Sequence, residues 1–167
     1  MKTPTLISSL LVLSAVNLTL MVPGGFIESR DFSHISPVIL GAFNIFLTAL
    51  GMISFFLAYF VFRKQRWAFM ASLLCGIAYF IVYVIDLAEI FPKSPSPMPT
   101  SLLSLEILGT ILSIPLSLYA FKAFDKEKTE GPSPPVGNTI YWIIAAAIII
   151  GLGIIIFATK SSMTANI

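Results

Sequence analysis

Five long apolar runs, residues 5–22, 37–62, 67–91, 101–121 and 140–159, dominate the chain, and only short polar segments separate them. Each run is near the length of about 20 residues that a helix needs to cross the hydrocarbon of a bilayer. Lipid offers the backbone no hydrogen bonds, so a helix is the form such a run takes there. The runs therefore predict an all-α, polytopic membrane protein. Composition agrees: 57% of the residues are hydrophobic, 11% are charged and the mean hydropathy is +0.94, values far from those of a water-soluble domain. The 167 residues are taken up by the spans, which leaves no room for a separate soluble domain.

The distribution of cations predicts how the spans are oriented. With the N-terminus in the cytoplasm, Lys2, Arg63, Lys64, Arg66, Lys122, Lys126 and Lys128 lie inside, and only Arg30, Lys93 and Lys160 lie outside. This bias favours a cytoplasmic N-terminus and an outer C-terminus. Trp67, Tyr141 and Trp142 then fall at the cytoplasmic interface, where amphipathic rings prefer to sit. The first run shares features with a cleavable signal peptide, namely Lys2 and "LSA" ending at Ala15, but is read here as a retained span.

Cysteine and histidine usage excludes several chemistries. Cys75 is the single cysteine and His34 the single histidine, so there is no disulfide framework, no redox pair, no bis-histidine haem and no zinc site built from paired histidines. There is no phosphate-cradling glycine loop, and "PGG" at residues 23–25 reads as a turn. The few cations lie at span ends, which speaks against nucleic acid as a partner. No nucleophile, base and orienting group can be assembled, so the chain is expected not to be an enzyme and to need no cofactor.

Within the spans, small and polar residues recur every three or four positions. The second run carries Gly41, Asn44, Thr48, Gly51, Ser54 and Ala58, and the third Ser72, Gly76, Tyr79, Tyr83 and Asp86 with Glu89 one turn further. The fourth carries Glu106, Gly109, Ser113 and Ser117, and the first Ser14 and Asn17. Polar groups facing lipid would lack partners, and small residues let helices approach closely. These stripes therefore turn inward and predict a four-helix transmembrane bundle over residues 1–130. A Pro/Gly linker follows at 131–139, and then a fifth transmembrane helix with a short outer tail at 140–167. The fifth run, "IIAAAIIIGLGIII", has no polar stripe, which makes it peripheral.

Helical rise places Asn17, Asn44, Asp86, Glu89 and Glu106 at one level, roughly 3 to 11 Å below the outer end of the bundle. With Tyr83 they form a candidate polar cavity. Above it the 23–36 loop offers Glu28, Arg30, Asp31 and His34 as a lid or as ion-pair partners. Asp86 and Glu89 stand where the helix dipole opposes a negative charge, so they need a cation, and Arg30 and Lys93 are available. Three carboxylates with amide and phenol oxygens suit a cation, a proton or a cationic amphiphile, although no spacing is diagnostic of a metal. Pro115 deprives the fourth span of a backbone hydrogen bond, which predicts a bend. Two roles fit these features. One is an accessory or scaffold subunit beside a larger membrane partner or in a homo-oligomer. The other is a small binding or transport protein with an outward-facing acidic cavity.

Overall fold

A computed structural model of the chain describes residues 3–23, 27–126 and 139–164. Five helices account for most of them: α1 (Thr3–Leu20), α2 (Pro37–Phe62), α3 (Arg66–Leu87), α4 (Thr100–Lys126) and α5 (Thr139–Thr164). The fold class is all-α, as the apolar runs require. Helices α1 to α4 are each long and apolar enough to cross a membrane, and α5 contains a shorter apolar stretch, Trp142–Ala158.

The first four helices form an antiparallel bundle in which each helix packs on its sequence neighbour and α4 closes the ring against α1. The stripes of small and polar residues point inward. Ser14, Asn17, Asn44, Ser54, Ser72, Glu106 and Ser113 are all buried, while Leu, Ile and Phe on the opposite faces are exposed. Where α3 meets α4 the contact is too close for a side chain. A Cβ on Gly76 would stand 3.1 Å from the Ser117 backbone nitrogen and 3.2 Å from Leu116 Cγ. Ser54, Ser72 and Ser117 donate hydrogen bonds to the carbonyls four residues earlier, which satisfies hydroxyls that lie in an apolar interior. Tyr79 also donates to Ser54 Oγ at 2.9 Å and so links α3 to α2.

Three boundaries differ from those the sequence predicts, among them that of α5, which runs to Thr164 through the first part of the expected outer tail. The third apolar run extends to Phe91, but α3 ends at Leu87. There the Glu89 amide donates to the Asp86 carbonyl and the Ile90 amide to the Ile85 carbonyl, with Glu89 at φ 51°. This is the Schellman pattern of helix termination. The α2–α3 turn repeats it, with Lys64 at φ 54°. An apolar run therefore continues past its helix, because backbone capping and not hydropathy ends α3. Conversely, α4 continues past Phe121 to Lys126 through a charged segment. It does so without interruption at Pro115, which lies inside the helix.

α5 packs on α2 and lies outside the ring of four. Its Gly151 meets Met52 so closely that a Cβ would overlap the sulfur. Of the expected linker at 131–139, residues 131–138 lie outside the described residues and Thr139 opens α5; the end of the outer tail at 165–167 and Gly24-Gly25 of the expected turn also lie outside them.

Candidate functional site

Arg30 organises the site. It stands in the α1–α2 loop, yet its side chain is only 4% exposed, because the loop folds over the bundle and brings it against α3 and α4. Its Nη1 and Nη2 donate to the two Asp86 carboxylate oxygens at 2.8 and 2.9 Å, in a bidentate fork. Its Nε donates to both oxygens of Glu28 at 3.0 and 3.1 Å, and Nη2 reaches Glu28 Oε2 at 2.6 Å. The Arg30 backbone amide also donates to Glu28 Oε1 at 3.0 Å. The guanidinium lies over the Phe32 ring, 5.2 Å from its centroid. Burial opposes the charge, but the hydrogen bonds and charges of Asp86 and Glu28 outweigh it and raise the guanidinium pKa above the ordinary arginine value. Arg30 is therefore a fixed cation at every accessible pH.

Glu106, in the second turn of α4, is 1% exposed and its Oε1 lies 3.8 Å from Arg30 Nη2, too far for a hydrogen bond. Neither of its oxygens accepts a hydrogen bond from any described residue. Asn17 Oδ1 and Ser14 Oγ on α1 are buried without partners as well. The other end of Asn17 is fully engaged: its Nδ2 donates to Tyr83 Oη at 3.2 Å and to the Leu105 carbonyl at 3.0 Å, joining α1, α3 and α4. Gly109 makes this junction possible, since a Cβ there would overlap the Tyr83 ring and stand 2.8 Å from Asn17 Nδ2.

A cavity of about 430 Å³ extends from this cluster. Glu28, Arg30, Tyr83, Asp86 and Glu106 line one part of it, with Asn44. The remaining wall is apolar and comes from α1, α2 and α5, including Leu47, Met52, Phe56, Ala147 and Ile150. The volume falls within the range of small-molecule sites. Among the described residues no group of three or more His, Cys, Asp or Glu is arranged to hold a metal ion.

The structure thus gathers Asn44, Tyr83, Asp86, Glu106, Glu28 and Arg30 around one cavity, with Asn17 behind Tyr83. Three expected members do not join them. Glu89 is exposed and serves as the left-handed capping residue of α3, so it does not pair with Arg30. His34 is exposed. Asp31 accepts hydrogen bonds from the Ser33 amide and hydroxyl at 2.9 and 3.2 Å, and its backbone joins Ser94 and Ser96 of the α3–α4 loop. What sequence reasoning missed is the apolar wall and the part α5 plays in it. Ala147 and Gly151 were the available signal, because Ala147 lines the cavity and Gly151 marks where α5 approaches α2.

Residues 3–134 match a family described as a domain of unknown function, DUF8051. No curated protein and no solved structure matches the chain.

Proposed function

The chain belongs to the DUF8051 family, and we propose that it is a non-enzymatic, multi-pass membrane protein that binds an amphiphilic molecule, its alkyl part in the apolar cavity and its head at the Arg30–Glu106 cluster. The observation that carries this reading is the pairing of opposites in one cavity. A mostly apolar wall leads to a buried charged cluster in which Glu106 has no hydrogen-bond donor among the described residues. A purely structural ion pair needs no cavity, and a purely apolar ligand gains nothing from a carboxylate. In the proposed orientation the cluster lies in the outer half of the bundle, with the N-terminus in the cytoplasm and the C-terminus outside. The exposed apolar faces of α1 to α4 suit contact with lipid.

The test is native mass spectrometry of the protein released from mild detergent, followed by extraction and identification of any bound molecule. An amphiphile at one per chain supports the reading. Ala147→Phe, which fills the cavity from α5 without touching the cluster, should remove it. Retention of the same amphiphile by Ala147→Phe would place it elsewhere on the surface and defeat the proposal.

A second reading, an accessory subunit or homo-oligomer, is favoured by α5. That helix packs on α2 and leaves Trp142, Ile149, Leu152 and Phe157 exposed on its other side, a face suited to a neighbouring membrane protein. Copurification of a stoichiometric protein that is lost on removal of α5 is the observation that would favour it.

A further inference from the structure

The head group that the cavity accepts follows from a count of donors and charges around Arg30. Three carboxylates, Glu28, Asp86 and Glu106, surround one guanidinium. Glu28 and Asp86 take the Nε and Nη2 hydrogens and one on Nη1, and with the guanidinium they already sum to 1 − 2 = −1. Glu106 is left over. It is 1% exposed, it lines the cavity beside the like charge of Asp86, and its oxygens accept no hydrogen bond from any described residue. With all four groups ionised the cluster carries 1 − 3 = −2 charges. A buried carboxylate without a donor is among the costliest arrangements a protein interior can hold, and it is relieved by a proton or by a cation that displaces the proton. An anionic head would face Glu106 directly and would find a single Nη1 hydrogen of Arg30 left to donate to it. A neutral hydroxyl would supply one donor but no compensating charge. A compact metal ion would need several oxygens in coordination geometry, and the described residues offer no such group. A protonated amine on an apolar tail meets every requirement: it donates up to three hydrogen bonds, balances Glu106 and places its tail along the apolar wall.

Resting on the amphiphile-binding reading above, we infer that the ligand class is a single-chain organic cation, a primary alkylammonium, whose head pairs with Glu106 between α4 and the Arg30 loop.

The inference is tested on the full chain in nanodiscs of zwitterionic lipid, with four ten-carbon probes: decylammonium, decyltrimethylammonium, decanol and decanoate. Binding is read by the rise in melting temperature across a concentration series. The expected order is decylammonium strongest, decyltrimethylammonium weaker because it donates no hydrogen bond, then decanol, with decanoate inert. A charge-assisted hydrogen bond corresponds to a preference of decylammonium over decanol of roughly ten- to a hundredfold. Glu106→Gln should abolish that preference. Equal responses to decylammonium and decanol in the wild-type protein, both lost in Ala147→Phe, would overturn the ammonium assignment and leave the cavity reading standing. No response to any probe, or responses unchanged in Ala147→Phe, would remove the cavity reading and the inference together. The wild-type probe order decides the matter even if Glu106→Gln does not fold.

Discussion

Asp86 and Glu89 look alike in the sequence, two acids three residues apart at the end of an apolar run, and the structure gives them opposite fates. Asp86 receives a bidentate guanidinium, whereas Glu89 holds a left-handed backbone in the α3 cap. Their substitutions should therefore diverge. Asp86→Asn leaves a buried cation short of its partner and should destabilise the protein by about 3 to 5 kcal/mol. Glu89→Gly relieves a strained φ at an exposed site and should be neutral or stabilising by up to about 1 kcal/mol. Melting of both single variants in one detergent checks the pair; equal losses would mean that Glu89 contributes to the cluster after all. Asp86→Asn combined with Arg30→Gln should be less damaging than the sum of the two, because the second change removes the orphaned charge. Inward polar residues were legible from their spacing, since a period of three to four places them on one helix face. The identity of Arg30's partners was only half legible: Asp86 was within reach, but Glu28, two residues from Arg30, required the loop's own fold to bring its carboxylate round to the guanidinium.

Helix-level packing turns on a few positions where backbones nearly touch. Gly76 sets the approach of α3 to α4, and Gly109 admits Tyr83 and Asn17. Gly76→Ala gains helix propensity of about 1 kcal/mol but forces its Cβ against the Ser117 backbone, which cannot yield as a side chain would. We expect a net loss of about 1 to 3 kcal/mol, measurable as a lower melting temperature. An unchanged or higher melting temperature would show that the α3–α4 interface is slack. Removal of α5 by truncation after Glu130 should leave α1 to α4 folded, since α5 packs on α2 outside the ring, while any ligand signal from the cavity disappears with its wall. Circular dichroism with the probe series reads both halves of that expectation. The sequence predicted α5 as peripheral because it lacks a polar stripe, and it packs as such. Its share in the cavity was not legible, because an apolar wall carries no periodic signature distinct from an ordinary packing face.

For the molecule as a whole, the helices were readable from length and hydropathy, and their antiparallel order follows from the short connections. Sidedness is the remaining expectation. An impermeant thiol reagent applied to intact cells should modify a cysteine placed at Lys93 and spare one at Lys64, with Cys75 silent because it is buried. The opposite labelling would reverse the orientation argued from the lysines and arginines. The Arg30 cluster also bears on how the chain comes together during synthesis. The closest helix packing is within two hairpins, α1 with α2 and α3 with α4, each of which joins sequence neighbours. Arg30 belongs to the first hairpin and Asp86, 56 residues later, to the second. When the first hairpin leaves the ribosome, Arg30 has Glu28 beside it but lacks Asp86. The guanidinium stays unburied until α3 arrives. Docking of the two hairpins and burial of the arginine are then a single event.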